Sequence, residues 1–241
     1  MNKFLSLFKI GLFLYLASCG SGEVGNVGQT GSLARFAIFG NHLYAVNNKQ
    51  LRAFDISTPE NTIFISEQKV DPGIETVFNA GPYLFVGGQL GLYIYDLPPN
   101  PAAPTFISQF SHARACDPVV VDNNYAFITL RSSDNCPGSV NELKVLDVTD
   151  IEKPNLVKNY PLAAPVGLAA NSERLYICDG NTLKLFDSSD VNNITLKNEV
   201  EKKGCLDVIY NDGFLVVTSS EGITQYDVSG DTLFQLSHLG F

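Results

Sequence analysis

A five-residue pattern that begins with Leu or Ile and ends with Asp occurs five times in the chain. The copies are Leu51–Asp55, Leu92–Asp96, Leu143–Asp147, Leu183–Asp187 and Ile223–Asp227, and their aspartates are separated by 41, 51, 40 and 40 residues. Repeats of this length are single supersecondary units, each of which buries its apolar face only against its neighbours. The chain is therefore predicted to form one array with repeats at about 32–73, 74–115, 116–165, 166–204 and 205–241.

Each repeat reads as four short strands. In the first repeat these are Arg35–Phe39, His42–Val46, Gln50–Asp55 and Thr62–Lys69, with Gly, Asn, Ser and Pro between them. Four antiparallel strands joined by tight turns make one propeller blade. The predicted fold is all-β, a single five-bladed β-propeller of four-stranded antiparallel blades. Closure of five blades into a ring is the simplest arrangement because it removes edge strands, and an open arc completed by a second copy is the alternative.

The third repeat carries an insertion. The middle of the second strand precedes the closing aspartate by eleven residues in four repeats and by twenty in the third, from Phe127 to Asp147. The extra nine residues, 131–139, have the composition of an exposed loop.

The start of the chain predicts export and a lipid anchor. Residues 1–18 combine Lys3, a short apolar run and small residues, as secretory signals do. The sequence Leu16-Ala17-Ser18-Cys19-Gly20 resembles a bacterial lipobox, with cleavage before Cys19 and lipidation of its sulfur. Residues 19–31 are rich in Gly and predict a flexible tether. By analogy with bacterial lipoproteins, Gly20 after Cys19 favours the outer membrane or cell surface over the inner membrane.

The pentapeptides resemble the LVIVD repeat of bacterial surface and periplasmic proteins. The resemblance covers about residues 32–235, and Cys116–Val121 with Tyr125–Arg131 looks typical of lipoprotein members of that family. It implies a β-propeller fold and a cell-envelope address, without an established activity. The fourth copy departs from the pattern because Ser188 follows its aspartate, where the others have Ile, Leu or Val.

The five aspartates themselves are predicted to be structural. Each one ends a third strand just before a turn, where a carboxylate accepts backbone N–H bonds. Four cysteines besides Cys19 predict two disulfides in an exported protein, for which three pairings exist. Propeller topology puts the start of each first strand and the loop between the second and third strands on one end of the blades, which we call the upper face. This selects Cys116–Cys136 and Cys178–Cys205, and a four-thiolate zinc site is the alternative.

The upper face is also the predicted ligand surface. Alignment of the first strands, with the nearby loops, collects six charged residues there: Arg35, Glu75, Asp117, Arg131, Asp179 and Asp207. Charged groups near a channel mouth need partners, and propellers bind ligands at such mouths. The competing interpretation is that Arg35, Glu75, Asp117 and Asp207 neutralise one another and hold the ring together.

Net charge and the lack of catalytic motifs restrict the classes of function that the sequence allows. Removing residues 1–18, which hold Lys3 and Lys9, leaves 14 basic against 25 acidic residues, which argues against nucleic acid as a partner. No catalytic set stands at meaningful spacing, and His112 with Arg114 near Cys116 is the nearest approach to one.

Three hypotheses follow. The favoured one is a monomeric, lipid-anchored binding or scaffolding module of the cell envelope with a protein or glycan partner and no cofactor. The second is a hydrolase or lyase in which Glu75, Asp117 and Asp207 hold a divalent cation such as Ca²⁺, and Arg35 or Arg131 holds an anionic substrate. The third is a purely structural envelope protein.

Overall fold

The computed structural model describes residues 31–70, 72–112, 114–115, 118–132, 138 and 140–241, and these form twenty β-strands. The predicted signal peptide, Cys19 and most of the predicted tether lie outside the described residues. Asp117, Cys116 and Cys136 also lie outside them, so the first of the two predicted disulfides stays a prediction. Within the described residues, no helix has the length and apolar character needed to cross a membrane.

The twenty strands form five four-stranded antiparallel sheets arranged as propeller blades, in chain order within each sheet. Blade 1 contains β1 to β4, at Phe36–Phe39, His42–Asn47, Gln50–Asp55 and Ile63–Lys69. Blade 2 contains β5 to β8, at Ile74–Ala80, Tyr83–Gly88, Gly91–Asp96 and Thr105–Ser111. Blade 3 contains β9 to β12, at Val119–Asp122, Tyr125–Leu130, Glu142–Asp147 and Asn155–Pro161. Blade 4 contains β13 to β16, at Pro165–Asn171, Arg174–Asp179, Thr182–Asp187 and Thr195–Glu201. Blade 5 contains β17 to β20, at Cys205–Asn211, Phe214–Ser219, Gly222–Asp227 and Phe234–Gly240.

The repeated pentapeptide is the third strand of every blade, and it carries the same irregularity each time. Pairing with the fourth strand shifts register just before the last apolar residue, at Ala53/Phe54, Ile94/Tyr95, Val145/Leu146, Leu185/Phe186 and Gln225/Tyr226. A bulge bends a strand and increases its twist, so the outer strand of each blade is rotated against the inner ones.

The predicted turn-capping role of the aspartates is confirmed in four blades. Oδ1 of Asp55, Asp147, Asp187 and Asp227 accepts the backbone N–H two residues later, with N–O distances of 2.7, 2.8, 3.1 and 2.8 Å. The corresponding position in blade 2 is Pro98, which has no N–H to donate.

A second backbone bond explains why Ser188 is tolerated. The residue after each aspartate donates its N–H to a carbonyl in the turn between the first and second strands. The five pairs are Ile56 to Asn41, Leu97 to Pro82, Val148 to Asn124, Ser188 to Glu173 and Val228 to Gly213, at 2.7–2.9 Å. Because the bond uses only main-chain atoms, it places no demand on the side chain.

Apolar clusters join successive blades through opposite faces. We call the face that a blade turns to the next one its front and the opposite face its back. The front of blade 1, with Tyr44 and Leu51, packs on the back of blade 2, with Leu84 and Val86. Three more clusters join blades 2 and 3, 3 and 4, and 4 and 5 in the same manner.

A fifth cluster, which ring closure would require, does not occur among the described residues. The back of blade 1 leaves Phe36 53% and Ile38 38% exposed, and the front of blade 5 leaves Phe214 46% exposed. The central blades 2, 3 and 4 have second strands that are buried on both faces. The five blades therefore form an arc in which blade 5 does not pack on blade 1.

Cys178 and Cys205 form the predicted disulfide, which links β14 of blade 4 to β17 of blade 5. The same two blades are joined at the opposite end by Arg174. Its guanidinium donates to the carbonyl oxygens of Val228 and Gly230, at 2.6 and 2.8 Å, and to Asp231.

Candidate functional site

The centre of the upper face is crossed by the segment that leads into blade 1, Gly31–Ala34. The Ser32 hydroxyl donates to Asp207 in blade 5 at 2.9 Å and accepts the N–H of Leu168 in blade 4 at 2.8 Å. The Ala34 carbonyl accepts the N–H of Val77 in blade 2 at 2.9 Å. This segment thus connects the inner strands of blades on opposite sides of the arc, and Ser32 is buried.

Asp207 is committed to holding that segment. Its carboxylate accepts from the backbone N–H groups of Val208 and Leu33 as well as from Ser32. Burial raises the pKa of Asp207, and these hydrogen bonds offset part of the rise. A Cβ at Gly31 would stand 2.2 Å from Oδ2 of Asp207, and one at Gly167 would stand 2.3 Å from Oδ1, so both positions need glycine for the close approach.

Asp179 has an equally complete set of partners. Its buried carboxylate accepts the N–H groups of Ala163 and Ala164 and pairs with Lys184 Nζ at 2.7 Å. Burial acts to raise its pKa, but the bonds from Lys184 and the two backbone groups outweigh burial, so the pKa of Asp179 lies below its ordinary value. Such an arrangement fixes the connection between blades 3 and 4.

Of the other predicted upper-face residues, Asp117 lies outside the described residues. Glu75 accepts from Gln89 Nε2 at 3.1 Å, Arg35 is exposed before β1, and Arg131 is half-buried directly after β10. No group of three or more His, Cys, Asp and Glu side chains that could hold a metal ion occurs in the part of the chain that the structure describes. A depression of about 540 Å³ does open here, but one blade and its connection form it, at residues 47–50, 69, 70 and 72.

The opposite end of the blades, which we call the lower face, carries a cleft between blades 2 and 3. Its volume is about 540 Å³. Its walls come from the ends of the first strands, the first turns and the loop after β11. The lining residues are Phe78, Asn79, Ala80, Gly81, Pro82, Tyr83, Phe85, Val121, Asp122, Asn123, Asn124, Val148, Thr149 and Ile151. None of them is basic.

Two polar residues along this cleft, Asn79 and Asp122, bond mainly within their own turns or to a neighbouring blade. The Nδ2 group of Asn79 donates to the carbonyl oxygens of Gly81 and Tyr83, at 3.0 and 2.9 Å, while its buried Oδ1 has no hydrogen-bond partner. Asp122 accepts from Asn123 Nδ2 at 3.0 Å. Burial is the largest influence on Asp122 and raises its pKa, against the bonds from Ser172 and Asn123.

Asp122 also lines two smaller depressions, one between blades 3 and 4 of about 370 Å³ and one near the centre of the arc. It is the only acidic residue at the last position of a first strand, where the other blades have Phe39, Ala80, Asn171 and Asn211. Asp122 was not among the sequence-predicted site residues, because the charged set came from the starts of the first strands, although its difference from the other strand ends is visible in the sequence.

Neither known protein families nor curated proteins match this chain. Solved structures do, at low identity. A protein of unknown function from Desulfotomaculum acetoxidans superimposes with a TM-score of 0.71 and 12% identity over 86% of this chain and 69% of its own. The periplasmic gluconolactonase of Pseudomonas aeruginosa superimposes with a TM-score of 0.65 and 12% identity over 83% of this chain and 68% of its own. The WD40 domain of Neurospora crassa Pan2 superimposes with a TM-score of 0.64 and 12% identity over 88% of this chain and 66% of its own. These similarities establish the propeller fold.

Proposed function

We propose that the chain is an exported, lipid-anchored β-propeller of the cell envelope that acts as a binding or scaffolding module, with the lower-face cleft as its ligand site. The observation that carries the proposal is the cleft itself. It lies at the joint between blades 2 and 3, has a volume of about 540 Å³, and is lined by both polar and apolar residues. Binding sites are concave and combine hydrophobic or aromatic side chains with a few polar groups.

The upper face supports this choice by contrast. The carboxylates of Asp179 and Asp207 accept hydrogen bonds from the protein's own backbone and side chains, which leaves little acceptor capacity for a ligand. The hydrolase hypothesis needs Glu75, Asp117 and Asp207 around one cation. The part of the chain that the structure describes holds no group of three or more His, Cys, Asp and Glu side chains that could bind a metal ion, so no specific observation favours that function.

In vivo crosslinking tests the binding function. The photoreactive amino acid benzoylphenylalanine replaces Asn124 in the cleft or, as the matched control, Asn41 in blade 1. Both are exposed turn residues whose carbonyl accepts the same backbone bond, so the substitutions are structurally equivalent. We expect irradiation to give discrete adducts with envelope components from position 124 and not from position 41. Identical adducts from both positions, or none from either, would contradict the proposal.

The anchor is tested separately by metabolic labelling with an alkynyl fatty acid. We expect label and membrane association in the wild-type protein and neither in Cys19→Ala. Membrane retention of the unlabelled variant would show that another segment holds the protein at the membrane.

A further inference from the structure

Two lysines line the depression at the upper end of blade 1. Lys49 lies in the turn between β2 and β3, and Lys69 ends β4. In the part of the chain that the structure describes, neither Nζ takes part in an ion pair or a hydrogen bond. On the same strand as Lys69, Glu67 pairs instead with Arg52 Nε at 2.9 Å. Asp71, which follows in the sequence, lies outside the described residues. The two ammonium groups make this spot attractive to anions on an otherwise acidic protein.

The blade repeat does not account for these lysines. Lys69 is the last residue of its fourth strand, where it pairs with Gln50. The last residues of the other fourth strands are Ser111, Pro161, Glu201 and Gly240. Lys49 is the second turn residue, and its counterparts in blades 2, 4 and 5 are Leu90, Asn181 and Glu221. Because four blades fold without a cation at these positions, the lysines are not needed for the blade structure.

The amide oxygens in the lining already have donors. Asn47 Oδ1 accepts the N–H of Lys49 at 3.0 Å, and Asn48 Oδ1 accepts the N–H of Gly73 at 2.8 Å. Gln50 Oε1 accepts from Asn47 Nδ2 at 2.9 Å. Amide orientation is assigned from such bonds, so these contacts fix which side of each amide is the acceptor. The lysine Nζ groups are donors only, and a ligand that satisfies them must carry acceptors.

The depression opens on the uncovered back of blade 1. Leu51 belongs to the cluster on the front of the blade, so its neighbour Gln50 lies on the back. Asn47 and Lys69 are the cross-strand partners of Gln50, and direct partners share a face. No blade packs on this face among the described residues, which leaves the depression accessible to solvent.

The rest of the lining suits a small organic molecule. Val70, which packs partly against the joint of blades 1 and 2, and Pro72 supply apolar surface beside the lysines. Lysine side chains add their own hydrocarbon stems to such surfaces. The volume of about 540 Å³ lies in the range of small-molecule sites.

We propose that this depression binds a phosphate monoester, with the phosphate on the Nζ groups of Lys49 and Lys69 and the esterified group on Val70 and Pro72. A phosphate monoester carries a charge of about −1.5 to −2 at neutral pH, which the two ammonium groups match. Lysine binds phosphate as a point charge and supplies charge-assisted hydrogen bonds. A phosphodiester, as in a lipid headgroup, has one negative charge and would leave one ammonium group uncompensated. This site is separate from the lower-face cleft.

Phosphorus NMR of the detergent-solubilised full chain at pH 8, in a phosphorus-free uncharged detergent, tests the proposal. The probe is phenyl phosphate, and its line broadening on titration gives the dissociation constant. Methyl phenyl phosphate has a similar shape with one charge fewer, and benzyl alcohol, followed by proton NMR, has none. We expect phenyl phosphate to bind at least about threefold more tightly than the diester, because each added charge strengthens the attraction to the ammonium groups. Benzyl alcohol should show no measurable binding.

Three variants locate the effect. Lys49→Gln and Lys69→Gln each remove one charge from an exposed side chain, and each should weaken phenyl phosphate binding about fivefold. Lys203→Gln is the matched control. Lys203 is an exposed lysine in the connection after blade 4, outside the lining of the depression, and its variant should bind within about twofold of wild type. Unchanged Tm in all three would show that the fold is intact.

The outcomes separate this site from the proposed binding function. Equal affinity for the two phosphate esters would overturn the monoester assignment in favour of a phosphodiester such as a lipid headgroup. Equal losses in Lys69→Gln and Lys203→Gln would reduce the effect to net charge and overturn the site. Absence of phenyl phosphate binding would overturn it as well. Crosslinks from position 124 report on the lower-face cleft alone, so their presence or absence leaves this test unaffected.

Discussion

Central and terminal blades are built from the same repeat, yet they differ in what covers them. Leu84 and Leu43 occupy the same position, the second residue of the second strand, in blades 2 and 1. Leu84 is fully buried against the front of blade 1, while Leu43 lies on the uncovered back of blade 1 and is half-buried. Sequence pattern alone assigns both to the core. The position of the blade in the array decides which of the two leucines is buried in the core.

The comparison shows that the blade joint is the unit of stability in this fold. In repeat proteins, stability is approximately the sum of intrinsic repeat terms and interface terms between neighbours. Blades 2, 3 and 4 each take part in two apolar joints, whereas blades 1 and 5 each take part in one. The terminal blades compensate through other contacts, namely the Gly31–Ala34 segment for blade 1 and the disulfide with Arg174 for blade 5.

The largest expected effect is a matched pair of core truncations. Leu84→Ala removes a fully buried side chain and should lower the free energy of unfolding by about 3–5 kcal/mol, through lost burial plus a cavity. Leu43→Ala, at the same repeat position, should lower it by about half of that or less, because its side chain is partly exposed. Denaturant unfolding of the full chain measures both. Equal losses would mean that the back of blade 1 is covered in solution.

Removal of the disulfide should weaken the attachment of blade 5. Cys178 and Cys205 are 27 residues apart, and closing a loop of that length stabilises by about 3.5 kcal/mol on the chain-entropy model. Cys178→Ser with Cys205→Ser should lower the free energy of unfolding by about that amount, measured by denaturant unfolding. Hydrogen exchange should show β17 to β20 opening before the central blades. A loss under about 1 kcal/mol would mean that the apolar joint alone secures blade 5.

Polar substitutions on the uncovered faces should have little effect on stability. Phe36→Ser and Phe214→Ser alter side chains that are about half exposed, and each should change the free energy of unfolding by no more than about 1 kcal/mol. Binding of a hydrophobic dye should decrease in the double variant, because two of the exposed aromatic rings of these faces are gone. Phe85→Ser, in the joint between blades 2 and 3, should cost at least about 3 kcal/mol. A comparable loss from Phe36→Ser would contradict the open arc.

The sequence predicted the local structure of this fold well and its closure poorly. Strand order, the capping aspartates and the Cys178–Cys205 disulfide follow from short-range patterns that each repeat restates. Ring closure depends on the angle between neighbouring blades, which is set by how side chains such as Tyr44 and Leu84 fill a joint. No periodic sequence pattern encodes the angle between blades. The prediction of a closed ring therefore rested only on the number of repeats.

The candidate site was harder to predict for a related reason. Alignment of charged residues located Asp179 and Asp207 correctly at the upper face, but their partners are backbone N–H groups brought in from residues 163, 164 and 33. The sequence shows that a residue is charged, but it does not show which backbone N–H groups will bond to that charge in the fold. The cleft depends instead on how the first turns of blades 2 and 3 and the loop after β11 come together, which no single repeat shows.

The smallest expected effect separates turn chemistry from packing within the central blades. Hydrogen bonds from Ser189, followed by the bond and charge of Lys197, lower the pKa of Asp187 to about 2. The folded-state pKa therefore lies below that of the unfolded chain, near 4, so the stabilisation is present at neutral pH and is lost as the pH falls from about 4 through about 2. Asp187→Asn should lower Tm slightly at pH 7 and leave it unchanged, relative to wild type, at pH 2. Asp96→Asn is the matched control, because Pro98 offers its carboxylate no N–H, and it should lower Tm by less at pH 7. Equal shifts in both variants would mean that the aspartates act through charge alone, whereas the expected difference would assign the effect to the bonds that Asp187 makes with Ser189 and Lys197.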